Sequence, residues 1–180
     1  MLQIKDVIGS PANLDETELV RISDELWNMG RLKDIKAKVS PELFCLHVGI
    51  NVVGMWKGEG WGWIIGEGAD FIPYIPMVLK ELHLPDIRDA FEDVINLYPK
   101  WTVFKTDDAE YYDIYNFLQT LSYKVHNEKL KMIAGEKRHE MVKLMRQNVR
   151  ILDDLTEQYW SDHSEDGGWK QILDYLREKY

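Results

Sequence analysis

Cysteine is almost missing from this chain: its 180 residues hold one, Cys45. That excludes an internal disulfide framework and any metal site built on several cysteines. Long apolar runs are missing as well. The richest region, Leu43 to Met55, is interrupted by His47, Gly49, Asn51 and Gly54, whereas a membrane span needs roughly 18 consecutive apolar residues. The opening segment, Met1 to Ser10, contains Lys5 and Asp6 and leads into no apolar core of the kind a secretory signal requires. Basic charge is also short, with 22 Lys and Arg against 31 Asp and Glu, a net charge of −9. A general nucleic-acid binder needs a cationic surface to displace phosphate counterions, so direct nucleic-acid binding is not expected. Together these absences point to a cytoplasmic protein away from membranes, with a reduced and buried Cys45.

What is present is globular: 45% hydrophobic and 29% charged residues, enough apolar material for one packed domain over 1–180. The apolar residues recur at helical spacing along most of the chain. Leu19, Ile22, Leu26 and Met29 mark one buried face of a first helix, with Asn13 at its cap and Asp15 and Glu16 in its first turn. Residues 1–39 are read as this helix and a linker. Ser40-Pro41-Glu42 then opens a second, largely buried helix. Further helices are expected over 70–82, from Pro85 to Pro99, from Asp107-Asp108 to Leu121, over 127–160 with a weak point at Gly135, and from Trp169 to Lys179. The reading is an all-α bundle of about seven helices without internal repeats. Trp101 to Lys105 is the one β-like run, too short to found a sheet.

One segment breaks this pattern. Six of the twelve glycines (54, 58, 60, 62, 66 and 68) fall between Gly54 and Gly68, interleaved with Trp56, Trp61 and Trp63. Each glycine in a helix interior costs about 1 kcal/mol against alanine, so a loop, or a loop with a short helical turn near Trp63–Ile65, is expected here, its indoles packed on neighbouring helices. The alternative is an exposed aromatic binding platform. The glycines do not form a phosphate cradle: Gly58-Glu59-Gly60-Trp61-Gly62 lacks the G-x-G-x-x-G spacing and no G-K-[ST] follows.

No other motif states a chemistry. Asp162 to Gly167 imitates the start of a calcium loop, but the twelfth position, which should be glutamate, is Leu173. An acidic turn capping the last helix accounts for those residues. His139-Glu140 begins an H-E-x-x-H motif that Lys143 breaks. No G-x-S-x-G is present, and Cys45 has no neighbouring base. No catalytic, cofactor-binding or metal-binding residue is therefore nominated.

Charge is distributed in blocks: net −7 over 61–123, +5 over 124–150 and −5 over 151–180. Such blocks pair within one fold or across a homodimer. Asp86, Asp89 and Asp93 stand at i, i+3 and i+7 on one helix face, and Asp107, Asp108, Glu110 and Asp113 follow on the next helix. Two acidic rows with steps of about 5–6 Å would coarsely imitate the phosphates of a nucleic-acid strand.

From Ser40 to Tyr180 the chain resembles a bacterial family named after a DNA-mimic protein. The residues that carry the likeness are Gly60-Trp61-Gly62-Trp63-Ile64-Ile65, then Ala69-Asp70-Phe71 up to Leu82, then Ile87 to Asn96-Leu97-Tyr98-Pro99. Leu152-Asp153-Asp154-Leu155 to Tyr159 and Tyr175-Leu176-Arg177 match the family's close. The asparagine and glutamine of the family's glycine–aromatic segment are replaced here. The resemblance implies an all-α fold over 40–180 and, as for the member that gives the family its name, an acidic surface that binds a DNA-binding protein. The expectation is thus a non-enzymatic interaction protein with a protein partner. The alternatives are an enzyme or small-ligand binder using a pocket at the tryptophan-rich segment, and an immunity or antitoxin protein.

Overall fold

A computed structural model describes residues 1–10 and 14–180; the expected cap at Asn13 lies outside them. Among the described residues the fold is all-helical, with no strands. Its helices are α1 (Ile4–Val7), α2 (Glu16–Trp27), α3 (Leu32–Lys38), α4 (Pro41–Glu67), α5 (Ile75–Glu81), α6 (Pro85–Ile95), α7 (Ala109–Gln119), α8 (Glu128–Lys131), α9 (Gly135–Trp160) and α10 (Lys170–Lys179). Short 3-10 helices at Ala69–Tyr74 and Glu165–Gly168 join α4 to α5 and α9 to α10. Among the described residues no helix is long and apolar enough to cross a membrane.

Helix starts follow local chemistry. The carboxylate of Asp15 accepts from Glu18 N at 3.0 Å, Ser40 Oγ from Leu43 N at 3.2 Å, and Asp108 from Tyr111 N at 3.0 Å. Each pairs one of the backbone donors that a helix start leaves unsatisfied. Leu2 lies beside Val39 in an isolated parallel bridge, through Leu2 N to Lys38 O at 3.1 Å and Ser40 N to Leu2 O at 2.8 Å. This ties the N-terminus to the start of α4.

Helix α4 is the axis of the domain. Leu43, Phe44, Leu46, Val48, Ile50, Val52 and Val53 are all buried, on every side of the helix, as expected when neighbours surround it. Helices α2, α3, α5, α9 and α10 pack on it, and α9 also packs on α6 and α7. α9 is preceded by the separate turn α8, so the long tract divides just before Gly135. The 32–38 segment is helical where a linker was expected. Leu32, Ile35 and Val39 stand at i, i+3 and i+7 and are buried, an apolar stripe of only two turns.

The glycine-rich stretch is helix rather than loop. α4 runs on to Glu67 and is interrupted only at Gly60, whose φ of 76° and ψ of 179° break the helical path. Propensity is overridden by packing. Gly66 lies under the ring of Tyr115, where a Cβ would stand 3.0 Å from the ring and its hydroxyl. Gly54, Gly58, Gly62 and Gly66 also recur every fourth residue, a helical period visible in the sequence. The β-like run 101–105 forms no strand.

Candidate functional site

Around the kink at Gly60, Trp56 and Trp61 are both buried against Trp160 of α9, and Trp63 is not. Trp61 is fully buried: its ring packs 5.3 Å from Phe91 and 5.7 Å from Trp160, and its Nε1 donates to Thr156 Oγ1 at 2.8 Å. Trp56 is buried too and donates from Nε1 to Asp153 Oδ1 at 3.0 Å. The same carboxylate oxygen accepts from Trp61 N at 3.2 Å, pairing a backbone donor that the kink releases. Trp63 differs: 40% of its surface is exposed.

Two depressions flank this stretch. The first, of about 420 Å³, lies at the kink and includes Trp56, Gly60, Asp153, Glu157, Asp162 and His163. A histidine with three carboxylates resembles an acid–base set, but Asp153 is engaged by the two tryptophans and Asp162 by the ammonium of Lys57. Lys57 also donates to Gly167 O at 2.7 Å. These contacts lock the acidic turn 162–167 onto α4. The turn does not cap α10, which has no side-chain cap; Glu165 instead pairs with Lys170 at 3.3 Å.

The second depression is a groove of about 730 Å³ along the end of α4. Its floor and walls include Trp27 at the end of α2, Met55 and Trp63 from α4, Phe71 and Tyr74 from the 3-10 helix, and Phe104. Trp27 is 37% exposed and lies edge-on to Phe71 at 6.1 Å. The far wall is fixed by a reciprocal clasp: Thr106 N donates to Asp70 Oδ1 at 3.2 Å, and Asp70 N donates to Thr106 Oγ1 at 3.3 Å. Arg31, Lys33 and Lys105 line it together with Glu67, Asp70 and Asp107. Among the described residues neither Arg31 nor Lys33 has a salt-bridge partner.

Beneath Trp27 lies a buried polar cluster. Trp27 Nε1 donates to Asn51 Oδ1 at 3.1 Å, and Asn51 Nδ2 donates to Ser23 Oγ at 2.9 Å and His47 O at 2.8 Å. His47 is fully buried, 4.8 Å from the Trp27 ring, and its Nε2 finds no hydrogen-bond partner among the described residues. Burial pushes its pKa down to about 4, so the ring is neutral at pH 7. This network ties Trp27, part of the groove lining, to α4. Cys45 is buried as expected, and burial pushes its thiol up to about 11, which keeps it protonated at neutral pH.

The expected acidic rows are only half built. Asp86, Asp89 and Asp93 are exposed on α6, with Asp89 paired to Arg88 at 2.8 Å. The second set, Asp107, Asp108, Glu110 and Asp113, does not form a continuous exposed row: Asp107 and Glu110 are exposed, Asp108 is half-buried and Asp113 is buried. Asp113 is buried and accepts from Asn127 N at 2.6 Å, His126 N at 3.0 Å and Tyr123 Oη at 3.0 Å. Asp108 caps α7, and Asp107 stands outside the helix with φ of 57°. Glu110 is exposed and accepts from Asn127 Nδ2 at 3.2 Å. Backbone donors at the turn after α7 claim Asp113, a role that residue spacing along the helix does not show. Trp27, Phe71 and Phe104 come from three separated segments and meet only in the fold, so no spacing along the sequence nominates them together. The chain matches no protein-family model, no curated protein and no solved structure.

Proposed function

We propose that this chain is a non-enzymatic interaction protein that holds an apolar segment of a protein partner in the Trp27–Trp63 groove. The observation that carries this reading is the placement of the indoles. Three of the seven tryptophans are substantially exposed (Trp27, Trp63 and Trp101), and two of the three line one groove with Met55, Phe71 and Phe104. Tryptophan, methionine and arginine are enriched where partners dock, and a few such anchors carry most of the binding energy. Arg31 and Lys33, which have no salt-bridge partner among the described residues, favour a segment with a carboxylate beside its apolar anchor. Affinity capture from the native cell, with wild type and Trp27→Ala/Trp63→Ala side by side, tests this. A partner kept by the wild type and lost by a folded double variant supports the reading; a partner held equally by both refutes it.

A second reading rests on the exposed α6 row. Through Asp86, Asp89 and Asp93 the chain would engage the phosphate-binding face of a DNA-binding protein, in line with the family it resembles. Such a complex should weaken steeply with salt, be displaced by duplex DNA, and be abolished by changing the three aspartates to asparagine. A complex indifferent to all three rules the row out.

A further inference from the structure

The +5 block of this acidic chain does not spread evenly over α8 and α9. Part of it is structural. Arg138 donates to Phe117 O at 3.3 Å, Thr120 O at 2.9 Å and Tyr123 O at 3.2 Å, and Arg146 to Gln119 O at 3.3 Å. These guanidinium groups satisfy carbonyls that the end of α7 leaves open, where positive charge is also favoured by the helix dipole. Of the remaining bases, Lys143 and Arg150 share the α9 face of Arg146. Together with Arg146 they stand at i, i+3 and i+7 and form one exposed stripe about 10 Å long. Lys143 has no salt-bridge partner among the described residues, and Arg150 only reaches Asp154 at 4.0 Å with both side chains largely in solvent.

The stripe forms one wall of a groove of about 560 Å³ between α9 and the end of α7. Leu121, exposed at 44%, and the buried Val142 supply its apolar lining. The charge pattern along the same helix limits what fits. Glu136 and Glu140 lie before the stripe and Asp154 after it. A polyanion such as duplex DNA carries phosphates past both ends and meets these carboxylates, besides the net −9 of the whole chain. A short acidic segment that ends at Lys143 and Arg150 meets fewer of them.

We infer that the Lys143–Arg150 groove is a second docking site, for a short acidic segment of a partner protein with an aliphatic side chain between its carboxylates. The aliphatic group rests against Leu121 and Val142, and the carboxylates meet Lys143 and Arg150. This site is separate from the tryptophan groove and does not depend on the function proposed for it.

The probe is a short fluorescein-labelled helical peptide with two leucines flanked by aspartates, followed by anisotropy at low salt. Its asparagine counterpart and a short duplex DNA serve as competitors. Charge reversal of two rim pairs is expected to weaken binding about tenfold or more, so Lys143→Glu/Arg150→Glu should do so while melting like the wild type. Leu121→Asp should weaken it as well, and Trp27→Ala/Trp63→Ala should leave it unchanged. The inference is overturned if the aspartate peptide does not bind, or if the asparagine peptide binds equally well. It is also overturned if the charge-reversed protein binds as wild type does, or if duplex DNA displaces the peptide at matched charge.

Discussion

Truncating Trp61 to alanine removes the largest fully buried side chain beside the kink of α4. The indole packs on Phe91 and Trp160, so the substitution forfeits its transfer free energy and leaves a cavity between α4, α6 and α9. Buried Trp→Ala changes cost about 3–5 kcal/mol. The lost hydrogen bond adds little, because Thr156 Oγ1 still donates to Leu152 O at 2.7 Å. For a chain of this size the loss corresponds to a fall in Tm of roughly 6–20 °C. Trp63→Ala removes an indole already 40% in water, with no side-chain hydrogen bond among the described residues, and is expected to cost about 1–2 kcal/mol. Urea unfolding of both variants with a shared slope measures the difference directly. If Trp61→Ala loses under about 1.5 kcal/mol, or no more than Trp63→Ala, the division of this stretch into a core face and a surface face is wrong.

The remaining expectations concern the kink and the buried polar groups. Gly60→Ala keeps enough space, since a Cβ there meets only Asp153 Oδ1 at 3.5 Å, but its positive φ should cost about 1–3 kcal/mol in urea unfolding. His47, with its pKa lowered by burial to about 4, stays neutral when folded, while the unfolded chain takes up a proton below about 6.5. Stability is therefore full above that pH and falls as the pH drops towards 4, a loss that His47→Gln should flatten in Tm against pH. At Asp113 desolvation pushes the pKa up, but the amides of His126 and Asn127 and the Tyr123 hydroxyl outweigh it and hold the carboxyl below its ordinary value. Its contribution is complete above the usual Asp pKa and fades in acid below it. Asp113→Asn should lower Tm at pH 7 and remove that acid dependence.

Much of the fold was legible because helices announce themselves locally. Ser40-Pro41 opens α4 as its capping chemistry predicts, and Leu19, Ile22 and Leu26 are buried as their spacing predicts. The glycine-rich segment misled because propensity there counts against a helix, and the compensating term, close packing under Tyr115 and around Trp61, comes from residues far along the chain. The same holds for the groove. Trp63 could be nominated from its neighbourhood in sequence, but Trp27 and Phe104 reach it only through tertiary packing. Asp113 looked like one member of a charged row because its partners, the amides of His126 and Asn127, belong to a turn whose path the sequence does not disclose.

The central claim, that partner binding falls on the Trp63 side of α4, is tested most directly by site-specific photo-crosslinking in the native cell. A p-benzoylphenylalanine placed at position 63 is compared with one at position 101, where an equally exposed tryptophan, 39% in solvent, lies outside the groove lining. The account predicts a discrete crosslinked partner from position 63 and none from position 101. Equal products at both positions, or none at 63, would contradict it.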